Sequence, residues 1–313
     1  MKTLARLVAL PLLLALALAA PAVAQTPVPP QTTPVSWSTQ VIGTLVNRTE
    51  GGALPDRLDL VLHAWDADLN ERLMLDEQSG PDGTFRFEDV PVEPGLLYSV
   101  MATYEGVSYF SEPVRAIEGE NLPPFEVPIY ETTTDTSQIQ IERMHVMFLA
   151  SHAGLEVAEV YSLSNLGDRA VKEAVSLADG TPATFEFPLP TDAANVTFYP
   201  DGSNRFVRTP GGFADTGSLL PGAGSGQIMV NYVLPYMPGK TYEYAAQFAT
   251  RGMNFLVAED SGLTVTGDGF TPASAQQTSD GLKFAVLTRG PLQPGESVRV
   301  TLSGELTPTV ATQ

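Results

Sequence analysis

The sequence predicts an all-β fold: a small sandwich of about seven strands, followed by a larger β-sandwich region that is either one large sandwich or two small ones. Three observations carry this expectation. Apolar residues alternate with polar ones over short runs, as they do in strands with one buried face. Gly and Pro are abundant, 27 and 26 of 313 residues, and they cluster between those runs, where turns need them. No stretch shows the strand–helix–strand alternation of a doubly wound enzyme.

The β region is preceded by two segments of different character. Residues 1–24 read as a secretory signal peptide. Lys2 and Arg6 form its basic start, residues 7–19 its apolar core, and Ala22-Val23-Ala24 its cleavage site. The apolar run is short for a span of ~20 residues. The mature chain is therefore expected outside the cytoplasm: periplasmic, on the cell surface or secreted. It contains no Cys, so neither a disulfide nor a lipid-modified cysteine is available and stability must come from packed cores. Residues 25–36 are Pro- and Thr-rich and read as an extended spacer.

Within residues 37–130 each strand has its own signal. "STQVIGTLVNRT" alternates around Val41 and turns at residues 47–52. "RLDLVLHAW" puts Leu58, Leu60, Leu62 and Ala64 on one face and Asp59, Val61, His63 and Trp65 on the other. "GTFRFEDV" sets Phe85 and Phe87 against Arg86 and Glu88. "LLYSVMATY" and "GVSYFS" flank Glu105-Gly106 as a hairpin, and "FEVPIYE" closes the unit. Residues 131–138 are polar and Thr-rich and read as a linker. Residues 139–307 contain a further series of short strands, from "IQIERMHVMFLA" to "SVRVTLSG", separated by Pro-Gly, Asp-Gly and Gly-Gly turns. "DRAVKEAVSLAD" is the one segment there with helical character, and it reads equally well as a loop. Residues 308–313 form a polar tail. No later run is apolar enough for a transmembrane anchor.

Charge narrows the range of partners. The chain has 36 Asp and Glu against 17 Lys and Arg, a net charge of −19. Residues 36–130 are the more acidic part for their length, with 17 acids and 5 bases. Such a surface repels phosphate backbones and anionic headgroups, so nucleic acid is not an expected partner.

Residues 37–130 resemble the carboxypeptidase regulatory-like (transthyretin-like) domains of bacterial exported proteins. The resemblance rests on "GTLVNRTEGGALPDRLDLVLHAWD", "PDGTFRFEDVPVEPGLLYSV" and "ATYEGVSYFS", with Asp82-Gly83 before a Phe-x-Phe strand and Gly95 before the strand bearing Tyr98. It implies a non-catalytic seven-stranded transthyretin-like/Ig-like sandwich used as a spacer, stabiliser or binding module, and no catalytic residue. Phe187-Pro188-Leu189-Pro190 and the run from Pro221 to Tyr236 resemble β-sandwich regions of uncharacterised exported proteins, which implies no activity.

Several constellations invite chemistry. Asp66, Asp68, Asn70 and Glu77 fall at positions 1, 3, 5 and 12 of a calcium-loop template, but Glu71 stands where the template needs Gly and Arg72 adds a positive charge. They form a weak calcium candidate. His63, His145 and His152 lack zinc-site spacing. Gly222, Gly224 and Gly226 lack the Lys and helix of a phosphate loop, and Ser225 lacks the Gly of a nucleophile elbow. Trp37, Trp65, Tyr104, Tyr109 and Phe110 are candidates for an aromatic sugar platform. No catalytic residue and no cofactor are expected. The sequence reads as a binding or scaffold module for a protein or polysaccharide of the cell envelope. The alternatives are a carbohydrate-active or peptidase-like accessory enzyme, whose mark would be a cleft with paired carboxylates, and a calcium-stabilised adhesin.

Overall fold

The computed structural model describes residues 36–199, 204–277 and 281–307. The expected signal peptide (1–24), residues 25–35 of the spacer and the tail (308–313) lie outside the described residues. The fold is all-β: among the described residues the only helical element is the 3-10 turn Glu259–Ser261. No helix among them is long and apolar enough to cross a membrane.

The N-terminal module contains β1 (Trp37–Asn47), β2 (Asp59–Trp65), β3 (Glu71–Gln78), β4 (Thr84–Val92), β5 (Leu97–Tyr104), β6 (Val107–Phe110), β7 (Val114–Arg115) and β8 (Phe125–Ile129). Seven of these have four or more residues, and β7 has two. One sheet runs β4-β1-β8, with β1 antiparallel to β4 and parallel to β8. The other runs β3-β2-β5-β6, with β7 also on β5. The alternation seen in sequence becomes the core between the sheets. Leu60, Leu62 and Ala64 of β2 meet Phe85 and Phe87 of β4, Tyr98 and Val100 of β5, and Val127 and Ile129 of β8. β3 had no strand of its own in the sequence reading. It lies inside the stretch read as a calcium loop.

Turn chemistry fixes the register. Asp82 Oδ1 accepts hydrogen bonds from the Thr84 amide at 3.1 Å and the Thr84 hydroxyl at 2.7 Å, and Gly83 takes φ +79°. Glu105 and Gly106 both have positive φ, as a two-residue hairpin of the I′ type requires. Tyr98 is fully buried. Its hydroxyl accepts from the Glu93 amide and donates to the Pro91 carbonyl, each at 3.1 Å, and so pins the Pro-rich turn to the core.

In the second region the long hairpin Ile139–Ser151/Gly154–Asn165 is the centre of the largest sheet. Gly222–Leu234 and Ala194–Tyr199 continue it on one side. On the other side follow Met253–Ala258, which is parallel to Ile139–Ser151, then Lys283–Arg289 and Thr271–Gln277. Two three-stranded sheets, one around Gly212–Asp215 and one around Ser297–Ser303, contribute to the same core. The inward residues, from Ile139 to Leu302, form a single cluster. The segment "DRAVKEAVSLAD" is not helical. It carries the two-residue strands Ala170–Val171 and Val175–Ser176, because Thr132–Thr133 and Pro182–Ala183 pair with them and satisfy their backbone.

The segment 131–138 separates the two cores, yet it is hydrogen-bonded to both sides. Thr132–Thr133 pairs in parallel with Ala170–Val171. Arg169 forms an ion pair with Glu131. The Lys172 ammonium donates to the Glu105 carbonyl at 3.0 Å, and Asp168 Oδ2 accepts from the Glu50 amide at 2.8 Å. At the centre is Thr49, 4% exposed. Its hydroxyl donates to the Asp168 carbonyl at 3.1 Å and accepts from the Glu131 amide at 2.9 Å. Leu220 of the second region also packs on the N-terminal core. Thr49→Val removes the hydroxyl and leaves both partners unsatisfied. The expected loss of stability is about 1–3 kcal/mol in chemical denaturation. Thr49→Ser, which keeps the hydroxyl, should lose distinctly less, and equal losses would show that the hydroxyl contributes nothing.

Candidate functional site

The outer face of the β3-β2-β5-β6 sheet leaves large apolar side chains in solvent. Alternation sends Val61, His63 and Trp65 of β2 outward, because Leu60, Leu62 and Ala64 take the core. Strand pairing brings Met74 of β3 and Ser99 of β5 beside His63, and Met101 of β5 beside Phe110 of β6. The His63 and Trp65 rings stack at 5.2 Å and 11°, and the Phe110 ring lies 6.5 Å from His63. Met74 is 59% exposed and Phe110 49%. His63 Nδ1 lies 2.6 Å from Glu71 Oε1, and His63 Nε2 is buried with no partner among the described residues. The result is a rigid apolar platform with an acidic margin: a sheet face with Trp, Phe, Met and His side by side can contact an apolar or cationic group through ring faces and sulfur.

Of the five aromatics expected from sequence at such a platform, the fold brings together Trp65 and Phe110. Tyr109 points into the core and donates to the Tyr130 carbonyl at 2.7 Å. Trp37 and Tyr104 pack against the core from its edges.

The calcium-template residues divide. Asp66, Asp68 and Asn70 share the β2–β3 turn, where Asp66 Oδ1 accepts from the Asp68 and Asn70 amides, each at 3.0 Å. Asp66 Oδ2 also faces Arg72 at 3.6 Å. These bonds hold the Asp66 carboxyl below the usual carboxylate range, the Asn70 amide contributing most. Glu77 is not part of this turn. It lies far along β3, opposite Leu60, because the residues after Asn70 continue as a strand. His145 lies on a strand opposite Val160 and Asn254, while His152 is exposed in the following turn, so the two do not converge. Burial, with Arg143 adding to it, lowers the His145 pKa. Gly222, Gly224, Ser225 and Gly226 lie within the strand Gly222–Leu234, and the Gly224 amide donates to the Ser164 hydroxyl at 2.7 Å. Among the described residues, no group of three or more His, Asp or Glu is placed to hold a metal ion.

The second core contains a residue that sequence reasoning passed over. Glu159 continues the inward series Leu155, Val157, Tyr161 and Leu163 of its strand and is 2% exposed. Its carboxyl accepts from the hydroxyls of Tyr161 at 2.5 Å, Tyr242 at 2.7 Å and Tyr232. Three strands from two sheets thus converge on one carboxyl. Burial raises the Glu159 pKa above its ordinary value, and the three hydroxyls pull it back only in part. The signal was present in "LEVAEVYSL": an acid on the apolar face of an alternating strand, two residues before a Tyr.

No family model matches the chain, and no curated protein does so. Among solved structures the chain is similar to one described as a "putative protease" from Parabacteroides distasonis ATCC 8503. The match has 12% identity and a TM-score of 0.31, and covers 54% of this chain and 40% of the other.

Glu159 is the side chain whose loss the second core should feel most. Glu159→Leu leaves three buried hydroxyls without their acceptor, at about 1–3 kcal/mol for each, so unfolding in urea should show a loss of several kcal/mol. Glu159→Gln keeps the shape and an acceptor and should cost less. The pH dependence has a definite sign. A carboxyl whose folded pKa lies above its unfolded value contributes most below the unfolded pKa, and that contribution falls as pH rises through the folded pKa. As pH rises above the ordinary carboxylate pKa, stability of the native chain relative to Glu159→Gln should therefore decline. A constant difference would show that the carboxyl is not raised.

Proposed function

We propose that this chain is a non-catalytic, extracytoplasmic binding or scaffold protein of the cell envelope, and that it engages its partner through the N-terminal module. The platform formed by His63, Trp65, Met74 and Phe110 carries this reading. Met74 and Phe110 are exposed while the His63–Trp65 stack is half-buried beside them, and a sheet face that leaves large apolar side chains in solvent is the kind of surface that interaction sites use. The resemblance to carboxypeptidase regulatory-like domains supports the same role, and the signal peptide expected at residues 1–24 supports the location. The joint around Thr49 and Glu131 suits a scaffold, since it transmits the position of one sandwich to the other.

The test is retention of envelope components by the immobilised mature chain. Trp65→Ala combined with Phe110→Ala removes two platform rings that lie outside the core. The double variant is expected to keep the melting temperature of the parent within a few degrees and to retain at least tenfold less of whatever the parent captures. Equal retention by the two proteins, or no retention by the parent, would overturn the proposal.

A further inference from the structure

The β3-β2-β5-β6 sheet ends on β3, and among the described residues no strand pairs with the far side of β3. The direction of its free groups follows from one bond. The Ser79 amide donates to the Leu58 carbonyl at 2.9 Å, so Leu58/Ser79 is a hydrogen-bonded pair. In an antiparallel ladder such pairs recur every second residue. Leu60/Glu77, Leu62/Leu75 and Ala64/Leu73 are then the bonded pairs, in the register observed. The amides and carbonyls of Met74, Asp76 and Gln78 consequently point away from β2, toward the open edge. Leu73 and Leu75 still pack on the core and hold the strand in place.

The surroundings of this edge have a definite charge. Asp59, Asp66, Asp68, Glu71, Asp76 and Glu77 stand on or beside β3 against Arg57 and Arg72, and Arg86 across the groove faces Glu88 at 3.7 Å. Arg72 faces Asp66, and the Arg57 guanidinium donates to Gln78. Glu77 and Gln78 also border a groove of about 670 Å³ that continues across Ile42 and Thr44 of β1 and Arg86 and Glu88 of β4. The space beside β3 is therefore open and acidic. It is flanked on the outer face by Met74 and the His63–Trp65 stack.

We infer that β3 is a docking edge for an extended, basic segment of another polypeptide, which adds as a further strand beside it. Backbone pairing to Met74, Asp76 and Gln78 would supply the affinity. A Lys or Arg of the segment would meet Asp76, and a cation or apolar group near Met74 would reach the Trp65 ring. A second copy of this chain fits the edge poorly, since pairing two β3 strands sets acid against acid. The inference rests on the binding-protein reading and names its site and the chemistry of its partner.

The probe is a fluorescein-labelled ten-residue peptide alternating Lys and Thr, titrated against the full chain at physiological salt and followed by anisotropy. A Glu-Thr peptide is the charge control. Asp76→Pro removes an outward amide while leaving the β2 ladder intact, a position where an edge strand tolerates Pro. The parent should bind the Lys-Thr peptide saturably and the Glu-Thr peptide not at all. Asp76→Pro should weaken binding at least tenfold, and Asp76→Asn, which keeps the amide, by less. Should the Pro variant fail to fold, hydrogen exchange on the parent decides the matter: the Met74, Asp76 and Gln78 amides should slow when the Lys-Thr peptide is added. Absence of binding, equal binding to Asp76→Pro, or binding without slowed exchange at these amides would overturn the inference. So would protection that grows with protein concentration alone, which would assign the edge to a second copy. Each of these outcomes leaves the scaffold reading standing if the parent retains envelope components and the Trp65→Ala/Phe110→Ala variant retains fewer; that reading fails on its own if the parent retains none or the two retain the same.

Discussion

Backbone pairing is the constraint on which the rest of this structure depends. Among the described residues the regular secondary structure is almost wholly strand, and a strand satisfies its amides and carbonyls only through a neighbour. Cysteine is absent, so no disulfide compensates for a poor core. Each sheet must therefore be wide enough to bury an apolar face, and each open sheet must end somewhere. At the joint the ends are used. Thr132–Thr133 and Ala170–Val171 pair across the boundary between the two cores, and Thr49 satisfies groups from both sides. A polar, Thr-rich segment suits this place because its hydroxyls bond where an apolar linker would leave amides unsatisfied.

Where an edge is left open, the residues around it differ in kind. Thr271–Gln277, one of the two edges of the large sheet among the described residues, is exposed throughout, carries Pro272 and has no charged side chain. Proline on an edge strand discourages pairing. β3 has no proline, keeps Leu73 and Leu75 in the core and surrounds its free groups with acids. Acids on an edge repel a like-charged copy and attract a basic strand, so the same residues guard against self-association and select a partner. The large-sheet edge is closed by backbone chemistry. The β3 edge is guarded by charge alone, and charge discriminates among partners where proline does not.

Much of this was legible in the sequence, wherever the period of two was clean. The β2 run "LDLVLHAW", the Phe85–Phe87 strand and the Glu105-Gly106 hairpin could be read directly, because each side chain's face follows from its neighbours. β3 was not legible for a specific reason. In "ERLMLDEQ" the inward positions Leu73 and Leu75 are only half-buried, and the outward ones include Met74, so apolar residues are contiguous and the acids at either end complete a metal-loop pattern. The platform was legible in part. Trp65 and Phe110 could be named as candidates, and alternation along β2 puts Trp65 beside His63, but the approach of Phe110 depends on the order β2-β5-β6, which no local pattern encodes. Parallel pairing of Met253–Ala258 with Ile139–Ser151, across a hundred residues, was invisible for the same reason.

Glu159 shows what that kind of reading omits. An acid on an inward position breaks the binary pattern, and alternation treats it as noise. In the fold it is the point where the strands of Tyr161 and Tyr232 meet the opposing strand of Tyr242. An apolar residue in its place would pack, but it would not dictate which tyrosine lies where. A carboxyl with three donors accepts only the arrangement that brings all three hydroxyls to it, since a buried hydroxyl without a partner is costly. Two sheets that could slide against each other on greasy contacts alone are thereby held in one register. The residue least like its surroundings thus specifies the packing of the larger core, much as the acids of β3, also departures from a simple strand pattern, specify what approaches the smaller one.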